Sequence, residues 1–282
     1  MNAADDKLER IVRRIVDLKP LPQVAQRALM LINDSNKGLA EVAQVLTMDE
    51  ALASMVLRWA NSAYFGLARP VGTVQQAVVY LGESAVQSLV LTASMSSYFD
   101  QPMPGYGLDR GDLWRHAVGV AAGSKALLRG YQRSMAEEAY HAGLMCDIGK
   151  LAMDSLLREM NVPLERLKGV AFQDIEKSYF GVDHATLGGY MARRWKLPES
   201  LVTAIAYHHR PSGTREHLVI TSAVHVADAA VMMMGIGVGK DGLRYPLDPV
   251  AFDTLGFREE NLSSLFQLIS AFLEKTELTV GV

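Results

Sequence analysis

Apolar residues return every three or four positions along almost the whole chain, and this period constrains the fold more than any single motif does. Leu8, Ile11, Val12, Ile15 and Val16 make one helical stripe, and Leu52, Met55, Val56 and Trp59 make another. The second is entered at Asp49, whose short carboxylate suits an N-cap, with Glu50 in the first turn. The same spacing predicts helices over 77–98, 112–128, 136–145, 185–195 and 218–234, and a last one around 262–272. No stretch alternates apolar and polar residues long enough to make a strand, so the predicted fold class is all-α.

Two segments interrupt the pattern. Residues 101–107, Gln-Pro-Met-Pro-Gly-Tyr-Gly, hold two prolines and two glycines, which forbid a continuous helix. A domain boundary is expected there, with an N-terminal helical lobe over 1–104 and a second helical domain over 105–282. The second interruption, 235–249, carries Gly235, Gly237, Gly239, Gly242, Pro246 and Pro249 and is expected to be mobile or stretched over the surface. No fixed-period repeat or low-complexity tract is present.

Composition excludes several classes. With 282 residues, 49% of them hydrophobic, the chain can bury one large core or two modest ones, and 21% charged residues at net −3 give no sign of disorder. No run approaches the roughly 20 apolar residues of a membrane span, and residues 1–6 lead into a charged stretch instead of an apolar signal segment. A single cysteine forms no internal disulfide, which agrees with a reducing compartment, so the expected location is the cytoplasm, with no membrane partner. Residues 39–61 read as helix, turn, helix, but the second helix has one arginine against Asp49 and Glu50. That is poor material for neutralising phosphates, and DNA is not an expected partner.

Several motifs carry a resemblance to a known family. Leu21-Pro22-Gln23-Val24-Ala25, Met48-Asp49-Glu50-Ala51-Leu52-Ala53, the run Leu57 to Gly66, and Ala77-Val78-Val79-Tyr80-Leu81-Gly82 stand in the first half. Ala142 to Lys150, Asp183-His184-Ala185-Thr186-Leu187-Gly188 and His208-His209-Arg210-Pro211 stand in the second. Together they resemble the signature of the HDOD family of bacterial signalling domains, in order, from about Leu18 to Met234. The resemblance implies a helical relative of the HD and HD-GYP phosphohydrolases with an added N-terminal lobe, regulatory in role and with part of the metal site lost.

On that resemblance the ligand series is His116, Asp147, His184, His208, His209 and Asp228, with Cys146 standing where a complete HD-type centre has histidine. The family's aspartate bridges two ions, so Asp147, His184, His208 and His209 would form one half-site. His116, Cys146, Asp147 and Asp228 would form the other. Imidazole with carboxylate suits one or two divalent ions of iron, manganese, zinc or nickel, whereas a thiolate would favour softer metals. The expected function is a signalling protein that binds protein partners or a nucleotide ligand, with no catalytic residues; were activity retained, Asp147 and Lys150 would carry it. The alternative is a metal-dependent phosphohydrolase acting on a nucleotide or cyclic dinucleotide.

Other readings of the same residues stay open. His116 and Asp228 serve equally well as hydrogen-bonding groups in a core, and Lys150 as a solvated helix-end lysine. His141, His217 and His225 match no ligand position. Asn61-Ser62 are expected to end a helix, Trp114 and Trp195 to pack between helices, and Met232-Met233-Met234 to fill core space.

Overall fold

The computed structural model describes residues 23–32, 37–62, 65–159, 170–239 and 246–280. The helical stripe on Leu8 to Val16, the start of the first motif at Leu21-Pro22, residues 63–64 and Gly242 lie outside them.

The described residues form α1 (Gln23–Ile32), α2 (Leu39–Leu46), α3 (Glu50–Ala60), α4 (Val74–Leu81), α5 (Glu83–Phe99), α6 (Asp112–Leu127) and α7 (Arg133–Met145). They continue through α8 (Ile148–Glu159), α9 (Phe172–Phe180), α10 (His184–Arg194), α11 (Glu199–Tyr207), α12 (Leu218–Met233), α13 (Pro249–Leu255) and α14 (Leu262–Val280). No strand occurs among them, and the fold is all-α. Asp49 caps α3 as the sequence suggests, its Oδ1 accepting the Leu52 N–H at 3.0 Å. Asn61 ends the same helix and holds residue 71 by both polar ends: its Oδ1 accepts the Val71 N–H at 2.7 Å, and its Nδ2 donates to the Val71 carbonyl at 2.9 Å.

One helix was placed wrongly by period alone. The single helix expected over 77–98 is two, α4 and α5, broken at Gly82, whose φ of 76° is open to glycine at little cost and to few other residues. The apolar phase runs across that break undisturbed, so spacing gave no sign of it.

Packing centres on two helices. α5 lies against α1, α3 and α4 on one side and against α6 and α7 on the other, while α6 packs on α7, α12 and α14. One hydrophobic cluster runs from Ala25 to Leu273. Trp59 of α3 meets Trp114 of α6 edge-on with centroids 5.7 Å apart, and buried Ser88 of α5 hydrogen-bonds His141 Nε2 of α7 at 2.7 Å.

Both interruptions pack closely against neighbouring helices. In 101–107 the chain makes a tight turn closed by a bridge between Met103 and Leu108. The Gly105 N–H donates to Asp154 Oδ1 of α8 at 2.7 Å, and a Cβ on Gly105 would stand 2.8 Å from that same oxygen, so the turn docks only as glycine. The first residues of the second interruption run along the surface as expected, exposed or half-buried, but they are held closely against the helices beneath. Gly237, at φ 63°, backs onto His116, where a Cβ would come within 2.6 Å of the histidine Cβ, and Gly239 backs equally closely onto the Tyr106 carbonyl. Glycine is needed there for close approach, and a composition of glycines does not distinguish that from mobility.

A buried histidine and aspartate pocket

The pocket is assembled where α8 and α10 come unusually close. A Cβ on Gly149 would lie 1.9 Å from the His184 carbonyl oxygen and 2.8 Å from the Gly188 nitrogen, so the bare glycine lets the two backbones touch. That contact brings Asp147, in the turn between α7 and α8, beside His184, the first residue of α10. Asp183 caps α10 by accepting the Thr186 N–H at 2.8 Å, which fixes where His184 begins. His208 and His209 follow the last turn of α11, Asp228 comes from the middle of α12 and His116 from α6. All six side chains are buried.

The structure brings one ligand atom each from Asp147, His184, His208 and His209 within 4.8 Å of one another. His184 Nε2 stands 2.9 Å from His209 Nε2, and Asp147 Oδ1 stands 3.4 Å from His184 Nε2 and 3.9 Å from His208 Nε2. At metal–nitrogen distances of about 2.0–2.1 Å, neighbouring ligand atoms lie about 3.0 Å apart at right angles and about 3.4 Å apart in a tetrahedron. The spacing therefore suits a single divalent ion.

Hydrogen bonds orient the rings. His208 Nδ1–H donates to the Ile205 carbonyl at 2.7 Å, leaving a buried Nε2 that has no hydrogen-bond partner among the described residues. His184 donates to Glu176 twice, through its backbone N–H at 2.7 Å and its Nδ1–H at 2.8 Å. A carboxylate behind a histidine in this way is the usual support of a metal ligand, fixing the tautomer and aiming the other nitrogen forward. Glu176 also accepts the Tyr106 hydroxyl, so the turn after α5 braces the pocket from behind. An orphaned Nε2, a buttressed imidazole and an ionised carboxylate together fit a metal ion.

His116 and Asp228 lie against the other side of Asp147. His116 Nδ1–H donates to the Ile236 carbonyl at 3.0 Å, and its Nε2 faces Asp228 Oδ1 at 2.9 Å and Asp147 Oδ2 at 3.4 Å. Asp228 Oδ2 is 3.6 Å from His209 Nδ1. Lys150 is not a solvated helix-end lysine: it is buried, with Nζ 2.9 Å from Asp147 Oδ2 and over the Tyr106 ring.

Charge follows from these contacts. Burial alone would raise the Asp147 carboxyl, but Lys150 first, then His184 and His116, hold it well below the usual range. Burial would lower His184, yet the Glu176 carboxylate and the contact with Asp147 outweigh it and raise its pKa to about 10. His116 is likewise raised against burial by Asp228 and Asp147. His208 and His209 are lowered, chiefly by burial. Cys146, fully buried and beside the Asp147 and Asp228 charges, has its thiol pushed far up. It stays a neutral thiol, not the thiolate that binds soft metals.

Three supporting residues escaped the sequence reading. Glu176 and Tyr106 are two. The third is His225, set aside as ordinary, which donates from Nδ1 to the His208 carbonyl at 2.7 Å and accepts the Asp248 N–H at Nε2 at 2.9 Å. It ties the His208-His209 turn to the entrance of α13. His141 serves between α5 and α7, and His217 precedes α12 in a left-handed conformation at φ 52°.

Comparison with known proteins places the chain by family and fold. The HDOD domain family pattern matches residues 18–211, and the chain belongs to that family. An uncharacterized protein of Treponema pallidum (strain Nichols) is 25% identical over 230 residues, 79% of this chain and 44% of its own length. The chain thus spans less than half of that relative. Among solved structures, an HDOD domain protein with unknown function from Geobacter sulfurreducens matches at TM-score 0.70 and 24% identity, over 96% of this chain and 99% of its own. A Marinobacter aquaeolei VT8 protein thought to act in signal transduction matches at TM-score 0.76 and 22% identity, over 99% of this chain and 65% of its own. A Shewanella amazonensis SB2B protein thought to be a metal-dependent phosphohydrolase matches at TM-score 0.60 and 17% identity, over 94% and 97%. At these identities the likeness is one of fold. No helix among the described residues is long and apolar enough to cross a membrane.

Proposed function

We propose that this chain is a cytoplasmic regulatory module that holds one divalent ion at Asp147, His184, His208 and His209 and acts by binding signalling partners, without hydrolysing phosphate esters. The observation that carries this reading is the division of the Asp147 carboxylate. Oδ1 faces the His184 and His208 imidazoles, at 3.4 and 3.9 Å, while Oδ2 is taken by the Lys150 ammonium at 2.9 Å and by His116 at 3.4 Å. A bridging carboxylate needs a cation at each oxygen, and here the ammonium supplies the second positive charge. The neutral Cys146 thiol offers no replacement ligand. A lone buried ion polarises its ligands and ties three segments together, whereas in-line attack on phosphorus is best served by a pair.

Protein purified without a metal-affinity tag should contain one equivalent of iron, manganese, zinc or nickel, lost in Asp147→Ala, and should leave cyclic dinucleotides and simple phosphodiesters intact. Robust turnover that disappears in Asp147→Ala would instead establish the phosphohydrolase. Glu176→Gln tests the buttress separately. Losing the charge behind His184 should weaken ion binding by about 10- to 100-fold, read by competition with a chelating dye, while the fold persists.

A further inference from the structure

A groove of about 560 Å³, lined by none of the histidine-pocket residues, opens between the end of α6, the start of α7 and the later turns of α14. Much of its lining is apolar, with Ala122, Leu128, Ala136, Leu268 and Phe272 among its walls. Its rim is basic. Lys125, Arg129, Arg133 and Lys275 stand against a single acid, Glu137, in a chain whose net charge is −3. That acid is already engaged: Lys125 Nζ binds it at 2.8 Å, and Ser88 donates to it at 3.3 Å. Arg129 and Arg133 are exposed and have no side-chain hydrogen bond or ion pair among the described residues. Tyr131, 42% exposed, lies between them in sequence and lines the same groove.

This combination selects a ligand class. Two unpaired guanidinium groups present planar forks that match phosphate oxygens, and arginine is the side chain best suited to that geometry. A simple phosphate would need no apolar lining, and a purely apolar ligand would leave the arginines unmatched. Two aromatic rings in the lining, Tyr131 and Phe272, give surfaces on which a flat heterocycle stacks. The volume falls within the roughly 300–1,000 Å³ of small-molecule clefts. We infer that the groove is a nucleotide site, taking the base against Tyr131 and Phe272 and the phosphates on Arg129 and Arg133. It is separate from the ion pocket and does not depend on an ion being held there.

The experiment uses a fluorescent N-methylanthraniloyl derivative of GDP with the full chain. Binding should be saturable and weakened by added salt, and unlabelled GDP or ADP should displace the probe. Guanosine and pyrophosphate, each carrying half of the recognised chemistry, should compete at least about tenfold less well. Arg129→Glu and Arg133→Glu, both at exposed positions and checked for unchanged thermal unfolding, should each weaken the probe by about tenfold or more, and Tyr131→Ala should weaken it as well. His208→Ala should leave it unchanged. The inference is overturned if no nucleotide binds, if the arginine variants bind like the parent, or if pyrophosphate or an apolar carboxylate such as decanoate competes as well as GDP. It is overturned equally if binding is lost in His208→Ala, which would place the ligand in the ion pocket.

Discussion

Replacing Gly149 by alanine should cost about 4 kcal/mol or more, a large share of the roughly 5–15 kcal/mol that holds a domain folded. The added methyl would stand 1.9 Å from the His184 carbonyl oxygen and 2.8 Å from the Gly188 nitrogen, and both are backbone atoms that no rotamer change can move aside. Relief requires α8 and α10 to separate, which also pulls Asp147 from His184. Urea unfolding should show the loss, and ion content should fall with it. Gly130 supplies the contrast, since a Cβ there meets nothing within 4 Å; Gly130→Ala should stay within about 0.5 kcal/mol of the parent. Equal stability of the two variants would mean that the close approach of α8 and α10 is wrong.

The second large effect is on pH, and it has opposite signs with and without the ion. In the ion-free chain His184 has a pKa of about 10 against an ordinary 6.5, so its stabilising contribution is fully present below about 6.5 and is lost as pH climbs through about 10. An ion at Nε2 competes with that proton. Its affinity should therefore rise with pH, by up to about tenfold per unit below about 10. Melting curves in manganese and in chelator, compared near pH 6.5 and about 8.5, should diverge: the chelated chain loses stability upward while the ion's stabilisation grows. Stabilisation that does not change with pH would put the ion somewhere other than His184.

Some of this was legible in the sequence, for identifiable reasons. A 3.6-residue period reports burial of one face, so it located α3, α6, α10 and α12 to within a few residues, yet it carries nothing about chain direction and passed over Gly82. The histidines and Asp147 were found because motif order points to them. Glu176 left a fainter signal, since it shares a helical face with Phe172 and Phe180, four residues away on either side, and an acid in an apolar stripe needs a partner. Tyr106 gave none, because a tyrosine between two glycines in a proline-rich turn reads as loop. The basic groove was invisible for another reason: its halves are more than 130 positions apart, and scattered lysines and arginines acquire meaning only once α14 lies beside α6 and α7.

The turn after α5 gives the pocket a consequence beyond its own ligands. Tyr106 holds Glu176, Glu176 holds His184, and the chain leading to Tyr106 leaves directly from α5, which carries the contacts to α1, α3 and α4. Were an ion held at His184, these contacts would link its occupancy to the posture of α5, and such coupling would be reciprocal. To whatever extent a bound ion stiffens α5 for or against a partner, that partner must tighten or loosen the ion by the same factor. On the proposed function, an ion-content measurement made with and without a binding protein would report on recognition at a surface away from the pocket.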